Sequence, residues 1–481
     1  MQSDSDNTQN AEAGKLKRET YDMDHDELPK WSARAANWAR DYHAGLRDRP
    51  VRGHVTPGSI RDALPATAPE QPEPMEAIWA DFERLVPDNM THWQHPRFFA
   101  YFPSNASPAS MLAEQLANAI AAQGMLWQTA PAANEIEERM VGWLAAALGL
   151  ADMRGTIHDS ATTATLCAVL TMRERALDWA GLTQGLSGAG RVRIYASEQT
   201  HSSIDKAVRL AGIGQENLVK VATDANLSME AGALQQAIRA DRAAGYLPAG
   251  VVFCAGGTSV GAFDDIAAGL QVARAEGLYT HVDAAWAGSA MICPEFRPLW
   301  AGAEGCDSIV FNPHKWLGVQ FDCSVQFLAD PAPQVKTLGL RPDYLETLEG
   351  KVTDFNEWTV PLGRRFRALK LWFVLRAYGL EGLRARLRNH VTWVAELCER
   401  VAAIEGLEVV TEPRLALFTF AHVDGDAATE RLIRAVNADG RVYLTQTRHA
   451  GRFVIRMTAG SFDCTRDDVM MVETVLREAL G

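Results

Sequence analysis

The sequence predicts an α/β fold: a mainly parallel central sheet flanked by helices, preceded by an N-terminal helical segment and followed by a small C-terminal α+β domain. Three observations carry this. Between Arg191 and Leu328, short apolar runs alternate with stretches at helical spacing, the pattern of a sheet covered on both faces. Two of the runs end in side chains with chemistry, at His281-Val282-Asp283-Ala284-Ala285-Trp286 and at Ser308 to Gly318. Ligands of open α/β sheets bind beyond such carboxyl ends of strands. After Val391 the rhythm changes to helix, two strands, helix, two strands and helix, which sets the C-terminal unit apart.

In chain order, residues 1–20 are poor in apolar side chains and are expected to be a disordered tail. Residues 21–107 form the N-terminal segment, 108–370 the large α/β domain and 371–481 the small domain. The acidic cluster Asp22, Asp24, Asp26 and Glu27 could bind a cation, but a solvated helix lead-in is the expected reading. From Pro29 to Arg47 a helix puts Trp31, Ala35, Trp38 and Tyr42 on one stripe. Pro50, Pro57, Pro65, Pro69, Pro72 and Pro74 make an extended strap, and Met75 to Val86 is a second helix. Such a segment has no core of its own and must pack on something else.

His92 to Ser104 contains an H-x-x-H spacing without a third ligand nearby, so a metal is not expected. Its aromatic residues fit a core or a pocket wall equally. A helix from Ala109 to about Ala122 leads into Gln123-Gly124-Met125-Leu126-Trp127. Gly155 to Thr162 then precedes a long helix with Leu166, Val169, Leu170 and Leu177 at apolar spacing. Asp159 or Ser160 is its N-cap, and the exposed N–H groups there also suit a phosphate; either role explains the residues.

The strand candidates are Val192–Ala196, Leu218–Val221, Val251–Cys254, Leu278–Val282, Ser308–Phe311 and Val325–Leu328. Helices fill the gaps near Ser203–Leu210, Glu230–Ala244 and Asp265–Glu276. Gln334 to Thr353 has neither period and reads as a long loop, a functional or disordered feature inside a compact domain. Pro361 to Lys370 opens a helix, its basic residues available for an anion or for capping and ion pairs. The last unit has strands near Leu407–Val410, Leu415–Ala421, Arg441–Thr447 and Arg452–Met457, with helices near Ala428–Asn437 and Arg466–Leu480.

Composition narrows the function. The net charge of −13, from 47 basic and 60 acidic side chains, disfavours nucleic acid and anionic membranes. No apolar run reaches the roughly 20 residues of a membrane span. The first residues are polar and acidic rather than basic then apolar, and the seven cysteines include no C-x-x-C pair. A reducing cytoplasm is the expected compartment.

At the end of the Ile309-Val310-Phe311 strand come Asn312, Pro313, His314 and Lys315. A lysine placed there can lose its proton by desolvation and attack a carbonyl. With Asp283 at the neighbouring strand end, the pair suits pyridoxal 5'-phosphate: an amine to carry the cofactor and a carboxylate to hold its pyridine nitrogen protonated.

H-V-D-A-A-W-A-G-S-A followed by F-N-P-H-K-W resembles the group II pyridoxal-phosphate decarboxylases, and most closely the aromatic-L-amino-acid decarboxylases, from about Leu28 to the C-terminus. The resemblance implies a fold-type I enzyme, a homodimer built partly by the N-terminal segment, and release of an arylalkylamine and carbon dioxide. It implies that Ser160, Ala161, Thr162, Thr258, Ala285, Asn312 and His314 surround the cofactor with Asp283 and Lys315, and that His201 stacks on its ring. Trp93, Tyr101, Phe102 and Pro103 fall on the substrate site, as do Gln123 and Met125, whose matching tip enters the neighbouring subunit in relatives. Gln123 and Met125 replace an aliphatic and an aromatic residue there, and Thr163 stands where many relatives have an acid. Tyr344, in Arg341-Pro342-Asp343-Tyr344-Leu345, matches the tyrosine that returns a proton after carbon dioxide leaves. The alternatives are an oxygen-using aldehyde synthase on the same scaffold, a decarboxylase of an acidic amino acid, and a catalytically silent binding protein.

Overall fold

The computed structural model describes residues 23–340 and 352–481. The expected disordered tail and Tyr344 lie outside these residues. A seven-stranded sheet forms the centre, built from β1 (Arg154–His158), β2 (Val192–Ser197), β3 (Leu218–Val221), β4 (Leu247–Cys254), β5 (Tyr279–Asp283), β6 (Ser308–Phe311) and β7 (Ser324–Leu328), in the spatial order β1-β7-β6-β5-β4-β2-β3. The strands β2 to β6 run parallel, and β7 lies antiparallel between β6 and β1. Phe253, Val282, Ile309 and Phe327 are buried in the main core cluster around this sheet.

Strand β1 is absent from the sequence reading, and its composition explains why. Thr156 and His158 are buried but polar, so no apolar run announces a strand. Thr156 Oγ1 meets Glu137 at 2.9 Å and His158 Nε2 meets Gln326 at 2.8 Å. A helix at Ala332–Leu338 likewise occupies part of the stretch read as a loop; Pro331 and Pro333 disguise its short first turn.

The N-terminal helices α1 (Leu28–Ala44) and α2 (Met75–Leu85) meet through aromatic side chains. Trp38 packs edge-on against Phe82 at 5.0 Å and stacks on Tyr42 at 5.0 Å, while Trp31 lies 5.9 Å from Trp79. The histidines of H-x-x-H are engaged by protein groups: His92 Nδ1 with the Tyr42 hydroxyl at 2.8 Å, and His95 with the Arg49 carbonyl and Arg97 N–H. Helix α3 (Pro108–Ile120) then leads through the Gln123 turn to α4 (Pro131–Leu148).

Helix α5 (Ala161–Ala176) crosses the sheet, and the crossover helices α6 (Ser203–Leu210), α7 (Ala231–Ala243) and α8 (Ile266–Ala275) follow. Next come α9 (Ala332–Leu338) and the long α10 (Ala368–Ala402), which breaks at Gly379, where φ is +61°. The C-terminal unit contains β8 (Leu407–Arg414), β9 (Leu417–His422), α11 (Asp426–Asp439), β10 (Thr445–His449), β11 (Arg452–Thr458) and α12 (Arg466–Leu480). Its strands form an antiparallel sheet in the order β10-β11-β9-β8.

One buried ion pair ties the Gln123 turn to the sheet. Arg364 meets Glu137 at 2.6 Å, both side chains being 4% exposed, and also reaches Thr156 Oγ1 and the Ile157 carbonyl. Gln123 Oε1 accepts the Arg364 backbone N–H at 2.6 Å. Removing one partner of such a pair strands the other charge in the interior, at a cost of about 3–5 kcal/mol. Glu137→Ala is therefore expected to lower the thermal midpoint of the protein sharply, whereas Glu430→Ala, which removes only a solvent-screened pair with Arg434, should leave it within about a degree. Equal midpoints for Glu137→Ala and the native chain would refute the structural weight given to this pair.

Candidate active site

At the carboxyl ends of the parallel strands lies a cleft of about 170 Å³. It is lined by ten residues expected at the site: Phe102, Ser160, Ala161, Thr162, His201, Thr258, Asp283, Ala285, Asn312 and Lys315. Ser203, Cys254, Gly256, Gly257 and Trp286 complete it.

All but Phe102, which lies in the segment before α3, follow or end a strand of the sheet. Asp283 closes β5, in register with Val310 of β6. The Asn312 N–H donates to the Ala285 carbonyl at 2.9 Å and so carries the pairing past the end of β6. Pro313 then starts a single helical turn that includes Lys315, whose N–H returns to the Asn312 carbonyl at 2.9 Å. Ser160 caps α5, its Oγ accepting the Thr163 N–H at 3.3 Å. The first-turn N–H groups of Ala161 and Thr162 have no acceptor within the helix and sit in the cleft wall. His201 is fixed from behind, its Nδ1 accepting the Ser203 N–H at 3.1 Å.

Burial pushes the Lys315 amine down to about 8; Asp283 opposes the fall and Arg456 adds to it. Burial likewise lowers His201 below its ordinary value, with Asp283 pulling upward and Lys315 downward. The cleft therefore holds an amine that is easily freed of its proton, an adjacent carboxylate, and an imidazole favoured in its neutral form.

A stack of rings backs the lysine. Phe102 stacks on Trp286 at 4.7 Å, and Trp286 on Trp316 at 5.0 Å. Trp316 donates its indole N–H to His390 Nδ1 at 2.9 Å. The Lys315 Nζ lies 4.8 Å from the Phe102 ring centroid. Trp93 and Tyr101 stack at 5.8 Å outside this wall, at 38% and 49% exposure. Tyr101 adopts φ +47°, a turn that directs its carbonyl toward Arg456 Nη1.

Six expected site residues are not part of the cleft lining of this chain: Trp93, Tyr101, Pro103, Gln123, Met125 and His314. Pro103 packs at Gly460, where a Cβ would come within 2.6 Å of its ring. Met125 uses its carbonyl to accept the Asn356 N–H at 3.1 Å. His314 Nδ1 accepts the Cys323 N–H at 2.9 Å, and burial pushes its imidazole down to about 3, so it stays neutral. Its place is beneath the Lys315 turn.

The residues present fit pyridoxal phosphate on the chemistry of their donors. An amine of lowered basicity, a carboxylate at the next strand end and a capped helix N-terminus answer the aldehyde, the pyridine nitrogen and the phosphate. Sequence reasoning missed Arg456, which is 2% exposed and whose guanidinium carbon lies 4.5 Å from the Phe102 centroid. The signal available was an arginine interior to the apolar run Phe453 to Met457.

The chain is similar to known proteins over nearly its whole length. The model of the pyridoxal-dependent decarboxylase conserved domain matches residues 57–423. The chain is 38% identical to the aromatic-L-amino-acid decarboxylase of Mus musculus over 450 residues, covering 90% of this chain and 93% of that protein. It is 35% identical to a phenylacetaldehyde synthase of Arabidopsis thaliana, covering 91% and 93%. A crystal structure of Oryza sativa TDC with PLP and tryptamine superposes with a TM-score of 0.90 at 33% identity, covering 95% of this chain and 99% of that one.

Proposed function

We infer the reaction from kinship: this chain belongs to the pyridoxal-dependent decarboxylase family, and it converts an aromatic L-amino acid to the arylalkylamine and carbon dioxide with pyridoxal phosphate as cofactor. The observation that supports this most directly is Lys315, desolvated at the end of β6 beside Asp283 and against an aromatic wall.

Bound pyridoxal phosphate supplies an electron sink for the pair left when the carboxyl bond breaks. The chain's own residues prepare for that event. Lys315 would hold the cofactor through Nζ, Asp283 would keep the proton on the pyridine nitrogen, and Ala161 and Thr162 would give N–H groups to the phosphate. His201, Ala285, Thr258 and Asn312, which line the same cleft, would surround the cofactor. Phe102 and the aromatic residues beyond it would exclude water and orient the substrate for bond cleavage. An aromatic wall suits an aromatic side chain better than an acidic one, whose carboxylate would lose hydration there.

Tyr344 would return the proton to the substrate carbon, a phenol being an acid whose proton is available at neutral pH. The expected products are therefore amine and carbon dioxide with little aldehyde. Tyr344→Phe should slow amine release and raise the aldehyde and peroxide share. Assaying amine, aldehyde, ammonia and peroxide from a panel of aromatic amino acids tests both points. Aldehyde as the main native product would move the chain to the synthase reading, and unchanged product ratios in the variant would remove Tyr344 from the proton step.

The working unit would be a homodimer in the cytoplasm. Leu112, Leu116 and Ile120 form a stripe along α3 at 52%, 43% and 61% exposure, an apolar surface that a second copy would cover. Trp93, Tyr101, Gln123 and Met125 would then meet substrate at a site shared between protomers. Sedimentation should give a dimer; a fully active monomer would contradict this.

A further inference from the structure

We propose that Ser324, which does not line the cleft, is a positioning residue for the cofactor phosphate: it turns the Asn312 side chain so that the amide's N–H edge, and not its carbonyl, faces the cleft. This rests on pyridoxal phosphate as the cofactor. It adds a third donor, and the residue that orients it, to the N–H groups of Ala161 and Thr162. Ser324 opens β7 and is fully buried. Its hydroxyl donates to Asn312 Oδ1, the one acceptor it meets among the described residues. An amide can be turned over about its Cβ–Cγ bond with almost no change of shape, so its hydrogen bonds decide which atom faces which way. A buried hydroxyl without an acceptor is costly, and of the two amide atoms only Oδ1 can accept its proton. With Oδ1 held by Ser324, Nδ2 takes the other edge. Asn312 is 3% exposed and lines the cleft, and its Nδ2 has no hydrogen-bond partner among the described residues.

The topology puts this amide near the start of α5. Strand β7 runs antiparallel to both β6 and β1, so its first residue lies at the carboxyl ends of both. Ser324 stands in register with His158, two residues before the Ser160 cap of α5. On its other side it reaches Asn312, the first residue after β6. Ser324, Asn312 and the α5 N-terminus are thus grouped on one part of the cleft rim, while Asp283 ends β5 on the far side of β6. A carbonyl turned toward a phosphate there would repel it, whereas an N–H adds a charge-assisted hydrogen bond.

The test separates phosphate recognition from the rest of cofactor binding. The apoprotein is titrated with pyridoxal phosphate and with pyridoxal, which lacks the phosphate, and each complex is read from its visible absorbance. Ser324→Ala leaves the amide free to turn over. It should weaken pyridoxal phosphate about tenfold or more, the scale of a lost hydrogen bond to a charged group, while pyridoxal stays within about twofold. In an Asn312→Ala background the same substitution should leave the pyridoxal phosphate constant unchanged, because the residue it acts through is gone. Asn312→Asp gives a second reading should Ser324→Ala not fold. One carboxylate oxygen keeps the Ser324 bond and the other meets the phosphate as an anion, so pyridoxal phosphate should again weaken about tenfold or more and pyridoxal should not.

Equal weakening of the two ligands, in Ser324→Ala or in Asn312→Asp, would make this hydrogen bond a support of the strand ends and overturn the proposal. An unchanged pyridoxal phosphate constant, or a further loss from Ser324→Ala in the Asn312→Ala background, would overturn it as well. These constants are measured without turnover. A native enzyme that binds the cofactor but releases no amine from any aromatic amino acid would instead overturn the reaction inferred above, a result distinct from all of these.

Discussion

Lys315→Ala is expected to lower turnover by more than about 10³-fold, the scale seen when an essential nucleophile is removed. Lys315 is the one lysine among the described residues that lines the cleft, its amine pushed down to about 8 by burial, with Asp283 in the same lining and the Phe102 ring 4.8 Å away. The native protein should hold its cofactor through dialysis, show visible absorbance, and after borohydride treatment carry the cofactor mass on the peptide containing Lys315. The variant should lose cofactor on dialysis and remain unlabelled. Label on a different lysine, with full activity in the variant, would remove Lys315 from its role.

The depressed basicity gives a further readout in the apoprotein. With a folded value near 8 against an ordinary 10.5, the unfolded chain binds a proton at Lys315 between those pH values that the folded chain does not. This group therefore costs stability below about pH 8, and the cost fades as pH rises toward 10.5. Apo Lys315→Met should be more stable than the native apoprotein at pH 7, and the advantage should shrink by pH 10. A constant difference across that range would show that desolvation does not set the lysine's basicity.

How far the sequence exposed this site depended on which residues are hidden by their neighbours. Ser308–Phe311 occurs where its apolar run placed it, because a strand buried on both faces is largely apolar, and Leu218–Val221, the edge strand, matches its run although Lys220 is exposed. The ends of β5 and β6 followed, and with them Asp283 and Lys315. Strand β1 was not legible, since Thr156 and His158 are satisfied by Glu137 and Gln326, partners distant in sequence that no local pattern contains. Arg456 was obscured differently. Along β11 it shares strand parity with Arg452, which is exposed, so alternation would send both to solvent. Burial of the strand's far end beneath the Tyr101 turn makes the difference, and that depends on packing between distant segments. The aromatic run was readable, but the sorting of Phe102 into the cleft and Trp93 and Tyr101 toward the surface was not.

Asp283→Ala should lower turnover by on the order of 10²-fold or more, the scale for removing one preorganised electrostatic partner. The argument begins with charge. A protonated pyridine nitrogen withdraws electrons far better than a neutral one, and only an adjacent anion keeps that proton in place near neutral pH. Asp283 is suited to this: it ends β5, its Oδ1 accepts the Ala285 N–H at 3.1 Å, and it lines the cleft opposite Lys315. The hydrogen bond to Ala285 holds the carboxylate in its turn, so little reorganisation is needed when a proton must be stabilised. Behind it His281 is buried and pushed down to about 4, hence neutral, and so places no competing positive charge beside the carboxylate. Asp283→Asn keeps the shape and removes the charge, and should be nearly as impaired as the alanine variant. Asp283→Glu should recover part of the rate. Cofactor affinity, measured by titrating the apoprotein, should fall in both neutral variants while thermal midpoints of the apoproteins stay close to native. If Asp283→Asn turned over at the native rate, neither the charge nor the proton it is assigned to hold would matter to the reaction.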